Sequence, residues 1–210
     1  MMWTADKILP IFLSGLLAAA LTQLATFLRD YLTKSEQGRT SAMFVTLALE
    51  NFAAVALYRA EQIELFNGSA GTMGEPYVGV PAFPDFPPTT DWRAIGAKLS
   101  MKVLSGQGAV TAAQTKLDGI LAVTDASHTA DDTRIECVRV GYKLLTVAGE
   151  VRARFKLGRR EHGGRFDLHA QYERRLPDVE KADEADDRFH ESIGNTVKAI
   201  KRRSRQAPTQ

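Results

Sequence analysis

The first pattern along the chain is a long stretch without charge. Residues 8–28 hold no ionised side chain, although 25% of the chain is Asp, Glu, Lys or Arg. As an α-helix with a rise of about 1.5 Å per residue, the stretch is about 31 Å long, which matches the hydrocarbon core of a bilayer, about 30 Å. The pattern therefore predicts a transmembrane helix over residues 8–28, preceded by a short tail of residues 1–7.

Two other interpretations of the stretch stay open. A buried helix of a soluble domain is one, but such helices are usually shorter or carry a charged stripe. A cleaved signal peptide is the other, with Ala18-Ala19-Ala20 as its cleavage site. Against cleavage, Lys7 is the single cation ahead of the apolar run, and the run continues past the alanines.

The flanking charges predict an orientation. Lys7 alone precedes the stretch, whereas Arg29, Lys34 and Arg39 follow it. Since the flank richer in Lys and Arg tends to stay in the cytoplasm, we expect a single-pass protein of a bacterial inner membrane with its body on the cytoplasmic side. The lone cysteine, Cys137, agrees with a reducing compartment because one thiol cannot form an internal disulfide.

Small residues share one side of the predicted span. Such side chains let two helix backbones approach closely, and Gln or Thr can hydrogen-bond across the contact. Self-association or docking onto another membrane helix would use this face, although similar patterns also arise by chance. Its members are Ser14, Gly15, Ala18, Ala19, Thr22 and Gln23.

Residues 29–157 predict an all-α bundle of about four helices. The first helix is expected over residues 41–66, after a break at Gly38 and Thr40-Ser41, or as an unbroken continuation of the membrane helix. Glu50 lies within it, and we expect this side chain to face water; the alternative is a pair with an arginine of a later helix. The residues of its apolar face recur in steps of three and four: Phe44, Leu47, Ala48, Phe52, Val55, Tyr58, Leu65 and Phe66.

Residues 67–91 form a long irregular segment rich in proline and glycine. Tyr77, Phe83 and Phe86 stand among the prolines. Their apolar area favours a strap that packs on the bundle over an extended proline-rich ligand for an aromatic groove.

Three further helices are expected after this loop. Asp91 can cap the first, and the Ser-Gly-Gln-Gly sequence of residues 105–108 should separate it from a second helix over residues 109–126. The third covers residues 131–157. Its bundle seam consists of Ile135, Val138, Tyr142, Leu145 and Gly149.

The tail, residues 158–210, is charged and weakly amphipathic, so we expect one partly docked, partly flexible helix. A net charge of +2 is too small to require a polyanionic partner. Two cation-rich segments, residues 152–175 and 198–205, would still face an anionic leaflet. Nucleic acid is the weaker expectation because no binding motif accompanies them. The cations of the last segment are Lys198, Lys201, Arg202, Arg203 and Arg205.

Familiar catalytic motifs are missing from the sequence. There is no zinc-protease motif, no C-x-x-C pair and no phosphate-binding loop. His169 and Glu173 lie one helical turn apart and could share a proton, but a surface hydrogen bond is the commoner outcome. We therefore expect no cofactor, no metal site and no catalytic residue. The histidines without metal-ligand spacing are His128, His162, His169 and His190.

Three stretches resemble those of uncharacterised small bacterial single-pass inner-membrane proteins with a helical cytoplasmic domain. They are residues 47–53, residues 80–84 with Trp92 downstream, and residues 141–145 running to 152–155. The resemblance covers residues 8–157 and implies no activity. The resulting hypothesis is a membrane-anchored interaction or assembly protein. Two alternatives stay open: a membrane-tethered binder of anionic lipid or nucleic acid, and an enzyme combining distant residues such as Glu50 with Arg139 or Arg152.

Overall fold

A computed structural model describes the backbone of residues 5–158, 167–188 and 191, and the side-chain environments of Gln23, Thr26 and most residues from 36 onward. Within these ranges all regular secondary structure is helical and no strand is present, which confirms the all-α part of the predicted fold. Residues 176–188 are also helical. The five complete helices are α1 (Ala5–Gly68), α2 (Trp92–Ile95), α3 (Ala97–Leu121), α4 (Ala126–Arg154) and α5 (Leu168–Glu173).

Helix α1 runs unbroken from the predicted membrane segment into the body of the protein. The predicted break at Gly38 is wrong, and the unbroken alternative is what forms. A Cβ at Gly38 would lie 3.0 Å from the Ala94 Cβ and 3.6 Å from the Phe155 ring. Gly38 therefore allows close packing between helices; this packing offsets its helix-propensity cost of about 1 kcal/mol.

One helix of the described part, α1, is long and apolar enough to cross a membrane. Among the residues whose side chains are described, the part of α1 that meets this criterion is Glu36–Gly68. More than half of the most apolar stretch of this part is buried inside the protein. The predicted span, residues 8–28, lies earlier in the same helix.

Helix α4 occupies the centre of the body, with α1 on one side and α3 on the other. Both neighbours run antiparallel to it. On α1, Glu50 pairs with Arg152 and Glu64 with Arg134; on α3, Lys102 pairs with Glu150 and Lys116 with Glu136. Most of the predicted seam lies in or against the core, with Val138 and Leu145 buried. Other core members from the three helices are Val45, Leu49, Leu57, Val103, Leu117, Leu144 and Ala148.

The predicted break at residues 105–108 is also wrong, since α3 passes through them without interruption. A Cβ at Gly106 would overlap the Leu144 side chain. This glycine therefore marks the close approach of α3 to α4. The actual break comes earlier, at Gly96, whose φ of +93° separates α2 from α3. Asp91 caps α2 as predicted, accepting bonds from the Arg93 and Ala94 backbone N–H groups at 3.0 and 3.1 Å.

The core face of α1 differs from the predicted one. Phe52 is buried as expected, but Phe44, Val55, Tyr58 and Leu65 are 43–52% exposed. Because this part of α1 is apolar nearly all round, the three- and four-residue recurrence fits two faces equally well. The buried face is instead formed by Val45, Leu49, Ala53, Ala56, Ala60 and Ile63.

Residues 69–91 contain neither helix nor strand and cross from α1 to α2 over the body. Phe83 and Phe86 pack against the core, and Phe86 meets Trp92 edge-on with ring centroids 5.2 Å apart. Arg59 lies over the Tyr77 ring at 5.3 Å. The Arg59 guanidinium also donates to the Gly79 carbonyl at 2.9 Å, so this segment is fastened to α1.

Candidate functional site

Glu50 and Arg152 form an ion pair between α1 and α4. The expectation that Glu50 faces water is wrong: its side chain is 8% exposed, and Arg152 donates to its Oε1 from Nη2 at 2.7 Å and from Nε at 3.0 Å. A buried carboxylate needs such a partner because an unpaired charge in the interior is costly. The ion pair with Arg152 therefore explains how the Glu50 carboxylate is accommodated where α1 packs on α4.

A cleft of about 490 Å³ opens beside this pair, at the end of the body nearest the amino-terminal part of α1. Its polar groups are two arginines and two threonines, and Thr46 already donates to the Ala42 carbonyl at 2.7 Å. This lining combines cations with apolar surface and offers no carboxylate. The lining residues are Arg39, Thr40, Met43, Thr46, Leu47, Arg152, Leu157 and Gly158.

A second group of charges docks the helical residues 176–188 onto α4. Glu136, 5% exposed at its side chain, contacts Lys116 at 3.2 Å and also Arg139. Lys116 also contacts Asp186 of the docked segment, and Arg139 also contacts Asp183. Arg139 is therefore engaged with Glu136 and Asp183, and the predicted alternative of Arg139 with Glu50 is wrong.

Further ion pairs join the other end of the segment, and the residue just before it, to the body. Arg134 contacts Asp178 at 3.0 Å, and Arg175 contacts Glu64 at 3.1 Å. Val179, within the segment, is buried in the core cluster of the body. Because most of these acids are exposed, each pair contributes at most about 1 kcal/mol, and the network positions the segment more than it stabilises the fold.

Cys137 is fully buried in the core. Burial raises the pKa of its thiol to about 12, so the reactive thiolate is strongly disfavoured at neutral pH. A buried, unreactive thiol of this kind is typical of a cysteine that serves as a small core residue. Asp132 also has a raised pKa, first because of its partial burial.

The outward side of α1 presents a row of exposed, uncharged residues along the whole body. They recur in steps of three and four and therefore share one helix face. Phe44, Val55, Tyr58 and Leu65 give the row its apolar area. The complete row is Gln37, Thr40, Phe44, Ala48, Asn51, Val55, Tyr58, Gln62 and Leu65, of which Ala48 and Gln62 are half-buried.

Exposed cations from three distant segments gather at the end of the body where α1 leads toward the predicted span. The contacts of Gly38 with Ala94 and Phe155 place these segments at one level. The acids nearby in sequence are Glu36, the capping Asp91 and Glu150, which pairs with Lys102. The exposed cations are Arg39, Arg93, Lys98, Arg154 and Lys156.

The remaining predicted sites lie mostly outside the described residues. The membrane-helix face belongs to the helical backbone of α1, but among its six members only the Gln23 side chain is described, and it is exposed. Lys198, Lys201, Arg202, Arg203 and Arg205 lie outside the described ranges. His169 and Glu173 are both exposed on α5. Across the described part of the chain, no group of three or more His, Cys, Asp or Glu side chains could hold a metal ion.

Sequence reasoning missed both the exposed row on α1 and the cationic end of the body. The row was not recognised because its apolar members, Phe44, Ala48, Val55, Tyr58 and Leu65, were assigned to the core face. The three segments that carry the cations are more than 50 residues apart in sequence, and only the packing of α2 and of the carboxyl end of α4 against α1 brings them together. Comparison with protein-family models, with curated proteins and with solved structures finds no match.

Proposed function

We propose that this chain is a membrane-anchored interaction protein that assembles with a partner along the outward face of α1. It would sit in a bacterial inner membrane by residues 8–28 and keep its body in the cytoplasm. The observation that supports the proposal best is the continuity of α1, whose exposed, uncharged row runs from the body toward the apolar stretch.

An exposed, uncharged row of this length that carries four large apolar side chains is unusual for a monomer. Contiguous apolar surface on soluble proteins commonly marks a contact with another protein or with lipid. The row spans residues 37–65, which is about 42 Å of helix. A partner helix anchored in the same membrane would lie alongside such a row without losing much further orientational freedom.

Membrane anchoring is tested by fractionating cells that express the full chain. We expect the intact chain in the membrane pellet after a wash with alkaline carbonate, which removes peripherally bound proteins. Recovery of the uncleaved chain in the supernatant would contradict the proposal. A reporter fused to the carboxyl terminus, active only in the cytoplasm, checks the orientation.

Assembly is tested by placing charge on the row. Val55→Glu with Tyr58→Glu should reduce the size of the complex extracted in mild detergent, because two carboxylates would be desolvated in the contact. The matched control is Met101→Glu with Leu104→Glu on α3, where the wild-type residues are 65% and 54% exposed. If both pairs of substitutions leave the complex unchanged, α1 does not provide the contact.

A second candidate function is binding of anionic lipid, favoured by the cationic end of the body. Arg39 lies about 16 Å of helix rise beyond Leu28. With a head-group layer of about 5–8 Å, this end lies about 10 Å from the head groups, close to one Debye length in physiological salt. Each cation at an anionic surface contributes about 1 kcal/mol, and this distance reduces that value.

The lipid candidate is tested with the full chain in vesicles, using energy transfer from Trp92 to a dansyl-labelled lipid in a Trp3→Phe background. We expect more transfer in vesicles with anionic lipid than in zwitterionic ones. Changing Arg93, Lys98 and Arg154 to Gln should abolish the difference. Changing Lys143, Lys181 and Arg188 to Gln removes the same charge elsewhere and serves as the control. Equal transfer in both lipids would refute this candidate.

A further inference from the structure

We infer that the partner of α1 is a second copy of this chain, aligned in parallel and in register along the whole helix. The inference rests on the proposed membrane anchoring and names the partner that the proposed function leaves open. The contact would join the exposed row of the body to the small-residue face of the predicted span.

Half of the small-residue face is in phase with the row, whereas Gln23, Ala18 and Ser14 lie about 60°, 80° and 120° from Phe44. At about 100° per residue, Gly15, Ala19 and Thr22 lie within about 40° of Phe44 when viewed down an ideal helix. Thr26 falls almost directly in line with Phe44, and its side chain is exposed. Because α1 is unbroken from Ala5 to Gly68, a partner that follows the row in the body would meet the small residues in the membrane.

The charge pattern favours an identical partner. In a parallel pair related by a two-fold axis, each residue near the axis faces its own copy, so any charged residue there would meet a like charge. From Gln37 to Leu65 the row holds no ionised residue, in a chain that is 25% charged. Nearer the predicted span, Arg29 and Asp30 fall at the two edges of the same helix face, in the directions of Leu65 and Ala48. A different partner would not require this restriction, since opposite charges could then be matched.

A polar member of the row also suits self-pairing. Gln62 carries an amide with donors and an acceptor, so the two Gln62 side chains of a parallel pair can hydrogen-bond to each other. A polar residue within such a seam is known to select one register and one orientation. Phe44, Val55, Tyr58 and Leu65 supply the apolar area that the pair would bury.

Membrane anchoring supplies the parallel orientation. Two copies inserted by the same rule have the same direction across the bilayer, so their α1 helices cannot pair antiparallel. The same confinement reduces the entropy lost on association. If the domain diffused freely, nothing in this argument would favour parallel over antiparallel pairing of the exposed rows.

The test is a ladder of single cysteines in the full chain, in its membrane, with Cys137→Ala as background. Phe44→Cys, Val55→Cys, Tyr58→Cys and Leu65→Cys should each form disulfide-linked dimers on mild oxidation, because a disulfide needs the two Cα atoms within about 7 Å. Met101→Cys, on a residue that is 65% exposed on α3, is the control, and we expect at least tenfold less dimer from it. Adding Val55→Glu should suppress the dimer at Tyr58→Cys and Leu65→Cys.

Each outcome decides between alternatives. Dimers at all four levels support the parallel pair. Dimers at a single level, declining on both sides, would show an antiparallel contact and overturn the inference. Equal yields at Met101→Cys and on the row would show random collision and overturn it as well. If Val55→Glu with Tyr58→Glu shrinks the extracted complex while no ladder forms, the partner is a different protein and the proposed function survives. If the chain fails to fractionate with membranes, the proposed function itself fails.

Discussion

Two glycines on the same helix should respond in opposite ways to the same substitution. Gly141 and Gly149 both lie on α4. A Cβ at Gly141 would overlap the Tyr172 hydroxyl and lie 2.7 Å from the ring Cζ. Tyr172 is completely buried, and its hydroxyl donates to the Ala53 carbonyl at 2.6 Å. A Cβ at Gly149 would meet nothing within 4 Å.

The magnitudes follow from these contacts. Gly141→Ala should cost about 3 kcal/mol: about 3 for overpacking against a buried ring, about 1 for the weakened hydrogen bond, and about 1 regained in helix propensity. Gly149→Ala should gain about 0.5–1 kcal/mol from propensity alone. For a domain of this size, the two changes correspond to melting temperatures about 6–12 °C lower and about 1–4 °C higher.

The assay is thermal unfolding by circular dichroism, with every variant in the same detergent. Tyr172→Phe separates the causes, because removing the hydroxyl relieves part of the overlap. The double variant Gly141→Ala with Tyr172→Phe should therefore lose less stability than the sum of the single changes. If Gly141→Ala is as stable as Gly149→Ala, then Tyr172 does not occupy the groove between α1 and α4, and the packing argument is refuted.

Three further outcomes are expected. Glu50→Gln alone should destabilise the fold by about 3 kcal/mol in urea unfolding, because the half-buried Arg152 loses its charged partner; Glu50→Leu with Arg152→Met should recover most of the loss. The free energy of unfolding should fall as pH rises from about 9 toward 12, because the raised pKa of Cys137 means that the unfolded state loses the thiol proton first. The slope due to Cys137 is up to about 1.4 kcal/mol per pH unit. The plot of unfolding free energy against pH should be flatter by this amount in Cys137→Ala. Finally, 1 M salt should speed backbone hydrogen exchange in residues 176–188, because their ion pairs are largely exposed.

Each of these outcomes has its own counter-result. A double variant at positions 50 and 152 that is no more stable than Glu50→Gln would mean that packing, and not charge pairing, explains the loss. Parallel pH curves for wild type and Cys137→Ala would mean that other groups titrate. Exchange that is unaffected by salt would mean that Val179 and its apolar contacts hold the segment.

The sequence alone was sufficient to predict that the chain is helical and to locate one helix cap. Recurrence in steps of three and four indicates a helix wherever it occurs, because the period belongs to the backbone. Asp91 caps α2 through its own neighbours Arg93 and Ala94, so this contact is local in sequence. The uncharged stretch of residues 8–28 is likewise a local property, and it leads to the membrane proposal.

Only the tertiary structure decided which helix face is buried and why certain glycines are present. Gly38 and Gly106 looked like helix breakers, yet each stands where another element approaches too closely for a side chain. Glu50 finds its partner 102 residues away. Phe44 and Tyr58 have the same period as the core residues beside them but lie on the opposite side of α1. A periodic apolar sequence specifies that a helix forms, whereas its neighbours in space determine which side is left for a partner.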